Sequence, residues 1–352
     1  MTRSTDRHDD ATAGRTAGPT PTPTPPAVDG RMSAVVQKRY GASDMLGLAR
    51  IDRPTPGPGQ VLVRVRAAGL DRGTWHLMVG KPYLMRLVMG FRGPRDQVPG
   101  RDLAGTVTEV GEGVTRFAVG DEVYGVGRGA FAEFALVLED HLAPKPDALS
   151  FEQAAVVPIS ASTALQALVA GRVEAGQRVL VIGASGGVGS YAVQLAKALG
   201  AEVTAVASTP KLDLVRSLGA DHVVDYTAED YAATGRRYDL ILDIAGGSRL
   251  ARLRRALAPR GTVVFVGNED GDFLSGGMGR QLRGLLLSLF VGQRFVMAIN
   301  KETAADWERV GEYLESGAVT PALDRTFPLT RAPEAMRLLE DGHVRGKLAI
   351  LP

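Results

Sequence analysis

The chain has 352 residues, of which 45% are apolar and 23% charged, and its formal net charge at pH 7 is +2. This length can form two domains with cores of their own, and so small a net charge gives no general attraction to nucleic acid or anionic membranes. The chain contains no cysteine, which excludes disulfides, thiolate nucleophiles and cysteine-ligated zinc or iron–sulfur sites.

Residues 1–30 differ from the rest of the chain. They are rich in Thr, Pro, Ala and Gly, and include TPTPTPP at 20–26. Such a segment buries too little apolar surface to order itself, and it lacks the apolar stretch of a secretory signal, so we expect a disordered tail. The longest apolar run, Leu285–Val291, is interrupted by Ser288 and is far shorter than the ~20 residues that span a bilayer. We therefore expect no membrane segment and a cytoplasmic location.

Residues 31–150 are predicted to be rich in strands. Three apolar or alternating segments, each bounded by Gly, Pro or Asp, have the pattern of short strands: Val61–Val65, Ala104–Val110 and Glu122–Tyr124. Many short strands separated by turns are typical of a small barrel-like domain.

The pattern changes after residue 150. Residues 151–170 are helical and interrupted by Pro158, and strands then alternate with helices. We predict strands at 179–182, 203–207, 223–224, 239–243 and 262–266, and helices near 188–199, 210–218 and 248–257. This alternation indicates an α/β fold with a doubly wound parallel sheet. Helices near 303–316 and 332–340 and a strand at 347–350 follow.

A glycine-rich turn joins the first of these strands to the helix after it. Its sequence, GASGGVG, covers residues 183–189. The missing Cβ of Gly186 lets the backbone approach a pyrophosphate, Gly189 lets the helix pack close to the strand, and the helix N-terminus favours an anion. The fingerprint begins with Ala184 where glycine is usual, so Gly183 is expected to share the turning role. The residues predicted to bind a dinucleotide here are Gly183, Ala184, Ser185, Gly186, Gly187, Val188 and Gly189.

Six segments along the chain resemble the medium-chain dehydrogenase/reductase superfamily, in particular its zinc-free quinone oxidoreductase branch. They are VPGRDLAGTVTEVG at 98–111, FAVGDEVYG at 117–125, VPISASTALQAL at 157–168, GASGGVGSYAVQLAK at 183–197, VRSLGADHVVDY at 215–226 and PLTRAPEAMRLLEDGHVRGKLAI at 328–350. The resemblance implies a GroES-like β-barrel catalytic domain over 31–155 and a Rossmann cofactor domain over 156–302. Residues 303–352 would return to complete the catalytic domain, with the active site in the cleft.

The zinc-using branch of that superfamily usually has Cys where this chain has Asp71, and Gly-His-Glu where it has Gly100-Arg101-Asp102. A guanidinium repels a metal and has no lone pair to donate, and the four-cysteine zinc lobe is missing. His76 alone supplies too few ligands. We therefore expect no zinc, and we expect Asp102 to support the loop near the cofactor.

The end of the second predicted strand of the parallel sheet bears on the choice of cofactor. An NAD enzyme commonly has Asp or Glu there, whereas this strand is followed by Ser208-Thr209-Pro210-Lys211. Hydroxyl groups and a lysine suit the 2′-phosphate of NADPH. The resemblance assigns Ser208, Lys211 and Tyr226 to that pocket. It also places Thr163 near the nicotinamide or pyrophosphate, and Asp243–Gly246, Gly267 and Asn268 after the fourth and fifth strands.

Without a metal to polarise a simple ketone, hydride transfer favours an electrophilic acceptor, so the predicted reaction is NADPH-dependent reduction of a quinone or an α,β-unsaturated carbonyl. Tyr83 is the first candidate for the proton donor and Tyr124 the second. Asp71 is a candidate for hydrogen bonding to substrate or ribose, or for pairing with Arg72 or Arg101. Trp75 is a candidate pocket wall or core residue. The family often has Asn and Asp where this chain has Asp71 and Thr74.

Further segments suggest surfaces and alternatives. Residues 275–295 are predicted to form a mobile, apolar wall of the cleft, and Phe295–Ile299 an edge strand of the kind that family members pair in homodimers. Arg249, Arg252 and Arg255 form one basic helix face, which is typical of a solvated surface. The basic face leaves open the alternative that the chain is a non-catalytic or weakly catalytic NADPH-binding protein, which binds nucleic acid or has a structural role. A third alternative is an enoyl-thioester reductase.

Overall fold

The first part of the chain forms mainly strands. The computed structural model describes residues 30–267, 278–299 and 301–352, so the predicted cofactor residue Asn268 and residues 275–277 of the predicted cleft wall lie outside the described residues. The elements up to residue 144 are β1 (Arg31–Val36), β2 (Gly47–Asp52), β3 (Gln60–Leu70), α1 (Arg72–Val79), α2 (Arg86–Met89), β4 (Asp102–Val110), β5 (Glu122–Val126), β6 (Phe134–Leu138) and β7 (Leu142–Pro144).

Helices and strands then alternate as the sequence predicts. The elements are α3 (Phe151–Ala155), α4 (Pro158–Gly171), β8 (Arg178–Ile182), α5 (Gly187–Ala198), β9 (Glu202–Ala207), α6 (Leu212–Ser217), β10 (His222–Asp225), β11 (Tyr238–Asp243), α7 (Leu250–Ala256), β12 (Leu257–Phe265), α8 (Met278–Leu287), β13 (Arg294–Met297), α9 (Ala304–Glu315), β14 (Leu323–Pro328), α10 (Ala332–Glu340) and β15 (Lys347–Leu351). Pro158 begins a helix because its missing N–H is not needed at that position.

Strands β8 to β13 form a six-stranded parallel sheet in the order β10-β9-β8-β11-β12-β13. Side chains of β8 alternate between two hydrophobic clusters: Val179 and Val181 pack with α4 and α5, and Leu180 and Ile182 pack with α7. The two faces are therefore both covered, as in a doubly wound sheet. Strand β12 begins five residues before the predicted start because Leu257 already pairs with Tyr238.

A second sheet contains seven strands from the residues predicted to form the catalytic domain, which are called the catalytic part below. Its order is β14-β15-β3-β4-β5-β7, and β6 also pairs with β3. Strand β15 pairs antiparallel with β3, so the C-terminal segment joins the strands formed by residues 60–144. Strands β1 and β2 form a separate antiparallel pair. Residues 31–352 form one compact unit, and the predicted domain boundaries within it stay predictions.

Candidate functional site

The glycine-rich turn lies at the carboxyl end of β8. Gly183 has a φ of +88°, which confirms that it takes the turning role suggested by the altered fingerprint. A Cβ at Gly189 would overlap the carbonyl oxygen of Gly183 and lie 2.7 Å from the Cα of Ala184, so α5 can pack this closely only on glycine. The buried Ala184 donates its N–H to the carbonyl of Val206, which ties the turn to β9.

The N-terminus of α5 can accept an anion. Gly186 is its N-cap, and among the described residues no side chain caps the helix. The nearest neighbour that a Cβ at Gly186 would have is the carbonyl oxygen of Gly183, at 3.5 Å, so this side of the turn is open. The amides of the first helical turn, which include those of Gly187 and Val188, have no earlier carbonyl of the helix to bond. Backbone donors and the helix dipole therefore favour a phosphate here.

Ala245 and Gly267, which follow β11 and β12, lie at the same edge of the sheet as the glycine-rich turn. A Cβ at Gly183 would lie 3.1 Å from the amide nitrogen of Ala245, which follows β11. Gly267, after β12, donates its N–H to the carbonyl of Asp243 at 3.3 Å. Thr163 lies on α4, where its hydroxyl donates to the carbonyl of Ile159 at 2.6 Å. Ser185 is buried, and its carbonyl accepts the N–H of Gly346.

The tip of β9 brings together the three residues assigned to the adenosine-phosphate pocket. The amide of Tyr226 donates to the carbonyl of Ala207, and the amide of Lys211 donates to that of Ser208. The ring of Tyr226 is exposed. The ammonium group of Lys211 donates to two carbonyl oxygens of the loop between α10 and β15, those of Gly342 and Val344.

A carboxylate that the sequence analysis did not consider lies beside this pocket. Asp225 ends β10 opposite Ala207 of β9. One of its oxygens accepts a hydrogen bond from the Thr209 hydroxyl, and the other accepts bonds from the amide and hydroxyl of Thr227. These bonds lower the pKa of Asp225. Because Asp225 belongs to the neighbouring strand β10, the residues at the end of the second strand gave no indication of it.

The predicted catalytic residues Asp71 and Trp75 flank α1. Asp71 is 6% exposed and is the N-cap of the helix, accepting the Thr74 amide at 2.7 Å and the Thr74 hydroxyl at 3.1 Å. The Trp75 indole donates to Glu340 of α10 at 3.1 Å and packs against the core of the seven-stranded sheet. Both residues thus have structural partners that fix the orientation of α1.

The two tyrosine candidates have opposite surroundings. Tyr83 begins a short 3₁₀ turn and is 44% exposed, with the Arg86 guanidinium 4.6 Å from its ring centre. Tyr124 is 1% exposed, and its hydroxyl donates to the carbonyl of Trp307 at 2.7 Å. Burial raises the pKa of Tyr124. Its hydroxyl therefore has a structural hydrogen bond inside the core, whereas Tyr83 is accessible to solvent.

Two ion pairs lie around the position where zinc-using relatives have ligands. The guanidinium of Arg101 pairs with Glu302 at 2.5 Å, and its nearby charges include Asp71 and Asp102. Asp102 pairs with Lys347 at 3.2 Å. Across the described ranges, no three His, Asp or Glu side chains are grouped so that they could hold a metal ion.

A third ion pair lies at the carboxyl end of β11. The buried Asp243 pairs with Arg280 of α8 at 2.5 Å, and the guanidinium lies 4.8 Å from the ring centre of Phe265. The same guanidinium donates to the carbonyl of Ser248. Asp243 was predicted at this edge, but no pattern in the sequence pointed to its partner, which is 37 positions away.

A cavity of about 780 Å³ opens in the catalytic part of the chain, between β6 and residues 95–101. Its lining includes Arg101, Val126, Gly127 and His141. Its described lining does not include the glycine-rich turn, so we do not assign the cofactor to it.

Comparison with known proteins identifies the family. Residues 57–147 match the alcohol dehydrogenase GroES-like domain, and residues 218–350 match the family described as zinc-binding dehydrogenase. The chain is 35% identical over 336 residues to an NADPH-dependent alkenal/one oxidoreductase from Arabidopsis thaliana, which covers 91% of this chain and 80% of that protein. The chain belongs to the medium-chain dehydrogenase/reductase superfamily. Within it, the chain falls in the quinone oxidoreductase-like branch.

Two further proteins that are similar to this chain are named as a reductase and a quinone oxidoreductase. A 2-methylene-furan-3-one reductase from Solanum lycopersicum is 33% identical, over 93% of this chain and 80% of its own length. Among solved structures, the quinone oxidoreductase from Coxiella burnetii has a TM-score of 0.81 and 28% identity, covering 92% of this chain and 99% of its own. The Rossmann sheet and the GroES-like part predicted from the sequence are confirmed, and the chain is an oxidoreductase of the medium-chain type.

Proposed function

We propose that this medium-chain reductase transfers hydride from NADPH to a quinone or an α,β-unsaturated carbonyl. The observation that carries the cofactor choice is the tip of β9, where Ser208 and Lys211 follow the strand. The Asp225 carboxylate of the neighbouring strand lies beside this tip, and its two oxygens already accept hydrogen bonds from Thr209 and Thr227. A 2′-phosphate suits hydroxyl and ammonium donors, whereas an acidic side chain would repel it. The names of relatives, an NADPH-dependent alkenal/one oxidoreductase among them, support the acceptor class.

The described residues fit a dinucleotide. The positive φ of Gly183, the open side of Gly186 and the uncapped start of α5 form a cradle for a pyrophosphate. Ser208, Lys211 and Tyr226 would surround the adenosine phosphate, and Thr163 and Gly267 would lie closer to the nicotinamide. When bound, NADPH supplies the hydride.

The protein would contribute position and a proton. The cradle that would hold the pyrophosphate would also fix the position of the nicotinamide ring. The protein would then have only to hold the acceptor against that ring. Tyr83 is the proposed proton donor because its phenol is partly exposed and its ring is fixed beneath Arg86. Asp71 and Trp75 would shape the site through α1, whose start and orientation depend on their hydrogen bonds to Thr74 and Glu340.

We also propose that the reaction needs no zinc. Arg101 stands in one ligand position with its guanidinium paired to Glu302, and Asp71, in another, caps a helix. The guanidinium has no lone pair for a metal, and each Asp71 oxygen already accepts a hydrogen bond from Thr74. An acceptor whose negative charge is spread by conjugation does not depend on a metal for polarisation.

The test is an NADPH-oxidation screen over quinones, enones, aldehydes and enoyl thioesters, run with and without a chelator. We expect turnover with quinones or enones that the chelator leaves unchanged. A preference for enoyl thioesters would select the third alternative. Oxidation of saturated alcohols alone, abolished by the chelator, would contradict both the acceptor class and the absence of zinc.

The alternative of a nucleic-acid-binding protein has less support. Arg252 and Arg255 of the basic face on α7 both pair with Asp230, at 2.8 and 2.9 Å. Their charge is therefore partly balanced within the protein. Salt-dependent RNA binding without any turnover in the screen would reverse this preference.

A homodimer is the proposed assembly. Strand β13 is at the edge of the parallel sheet, and nearby side chains of α8 and of the residues after it, including Leu286, Leu289 and Phe290, are exposed. Pairing of two such edges would cover them. Light scattering should give twice the mass of the chain, and the mass of one chain would refute the assembly.

No helix within the described residues is long and apolar enough to cross a membrane, and the cytoplasmic location stays a prediction.

A further inference from the structure

A buried ion pair joins the C-terminal strand β15 to strand β4 of the catalytic part of the chain. The ammonium of Lys347, at the start of β15, lies 3.2 Å from an oxygen of Asp102, at the start of β4. The side chains are 2% and 0% exposed. Two ions are removed from water at this point, which costs free energy unless both are well paired. So costly an arrangement suggests a role other than stability.

The second oxygen of Asp102 reaches the helix that precedes β8. It accepts the amide of Ile159 at 3.0 Å, in the first turn of α4. The N-cap residue of α4, Val157, offers no side-chain cap, so Asp102 satisfies one of the donors that a cap would otherwise bond. Thr163, one turn further along α4, is a predicted cofactor residue. Asp102 therefore fixes α4 relative to the seven-stranded sheet.

The stem of Lys347 reaches the glycine-rich turn. A Cβ at Gly187, the first residue of α5, would lie 2.9 Å from Cδ of Lys347, so the lysine stem lies directly against the helix start. The preceding residue, Gly346, donates its N–H to the carbonyl of Ser185 within the turn, at 2.8 Å. Residues 346 and 347 together brace the turn from the side of the C-terminal strand.

The surroundings of the pair are charged as well as buried. Burial raises the pKa of Asp102 to about 7, the Lys347 ammonium opposes that rise, and Asp71 adds to it. Arg101 is a further nearby charge. The pKa of the buried Tyr191 of α5 is raised by burial and, in addition, by the negative charge of Asp102. Asp102 thus lies between the residues around α1 and the start of α5.

We propose that Lys347 and Asp102 are positioning residues for the cofactor, which hold the glycine-rich turn and α4 in a fixed relation to the catalytic sheet. The pair touches no predicted cofactor atom. It acts through Gly187, Ser185 and Ile159, whose positions it sets. This inference rests on the proposed function, because it assumes that the turn binds NADPH.

The chain contains a matched control pair. Asp221 accepts the Lys197 ammonium at 2.8 Å and the amide of Val203 at 2.7 Å, just as Asp102 accepts a lysine and the amide of Ile159. Both control side chains are 34% exposed, and they join α5 to the opposite end of the parallel sheet. Their loss removes an ion pair of the same residue types without contact to the glycine-rich turn.

The experiment compares Asp102→Asn, Lys347→Met and the double variant with Asp221→Asn and Lys197→Met. NADPH dissociation constants come from fluorescence titration at about pH 8, above the pKa of about 7 to which burial raises Asp102, and thermal unfolding is followed in parallel. We expect the dissociation constant to rise about tenfold in each variant of the buried pair, a loss of about 1.4 kcal/mol of binding free energy. The control variants should bind NADPH as the wild type does.

The double variant separates positioning from stability. Replacing a buried ion pair by uncharged residues is often neutral or stabilising, so the double variant should regain thermal stability. Its NADPH affinity should stay weak if the pair positions the turn. Recovery of affinity together with stability would overturn the inference. Should the other variants fail to fold, the nearly isosteric Asp102→Asn decides alone, and an unchanged dissociation constant refutes the inference. Wild-type protein that does not bind NADPH would instead refute the proposed function.

Discussion

The ammonium group of Lys211 donates hydrogen bonds to the carbonyl oxygens of Gly342 and Val344, at 2.7 and 2.8 Å. A residue assigned to the cofactor phosphate thus also joins the tip of β9 to the loop before β15. Arg345 of that loop donates to the carbonyl of Pro210 and pairs with Asp213, both near the same tip. The proposed phosphate pocket would therefore be built partly from the C-terminal segment. Two of the three N–H donors of Lys211 serve these bonds, and the third is the one expected to reach a 2′-phosphate.

Lys211→Met should weaken NADPH binding selectively. The variant keeps the length of the stem but loses the charge, so we expect the dissociation constant for NADPH to rise about tenfold, as for the loss of one charge-assisted hydrogen bond. NADH, which lacks the 2′-phosphate, should bind the variant and the wild type equally. Fluorescence titration with both cofactors measures the ratio. An equal loss for NADH and NADPH would mean that Lys211 acts only by anchoring the loop at 342–344.

Tyr83→Phe should lower turnover by about tenfold or more, in the range typical of a lost general acid. The phenylalanine ring keeps its place beneath Arg86, and cofactor affinity should not change. Steady-state kinetics with the best acceptor of the screen gives kcat, and NADPH titration provides the control. Unchanged turnover would reassign the proton to water.

Tyr124→Phe should instead lower stability and spare catalysis. It removes the hydroxyl that donates to the carbonyl of Trp307, and the loss of this hydrogen bond costs about 0.5–1.5 kcal/mol. Urea unfolding measures the loss, and kcat of the folded variant should equal that of the wild type. A fall in kcat without a loss of stability would make Tyr124 the proton donor.

Gly189→Ala should disrupt the glycine-rich turn. The added Cβ would overlap the carbonyl of Gly183 and crowd Ala184, and we expect a cost of about 1–3 kcal/mol together with weaker NADPH binding. Gly279→Ala is the control, because a Cβ there meets no described atom within 4 Å and the position is exposed on α8. Equal stability and affinity in both variants would contradict the close packing of α5 on β8.

The buried carboxyl of Asp102 makes stability depend on pH. Its pKa is raised to about 7 in the folded protein, against about 3.9 in an unfolded chain. Between these values the folded state binds the proton that the unfolded state releases, so this group makes the free energy of unfolding fall as pH rises from about 4 to about 7. The variant with both Asp102→Asn and Lys347→Met lacks that effect. Its stability relative to the wild type should increase between about pH 5 and about pH 7.5 in urea unfolding. A constant difference would contradict the raised pKa.

The sequence alone determined the elements and the family. Strands such as β8 and helices such as α5 were predictable because their apolar periodicity is carried by neighbouring residues, and the turn between them has a glycine wherever the backbone needs one. Pro158 predicted a break in the helical stretch at 151–170, and α4 begins at that residue. The missing cysteines and the Arg101 in a ligand position bore on zinc before any contact was known.

Only the tertiary structure decided which distant residues meet. Lys347 and Asp102 are 245 positions apart, and Trp75 and Glu340 are 265 apart. They are brought together because β15 pairs with β3 and closes the seven-stranded sheet with residues from the end of the chain. The same closure gives Lys211 its carbonyl partners. Local patterns specify which residues form strands and helices, whereas such pairings depend on how the sheets and the helices around them bury their apolar faces together.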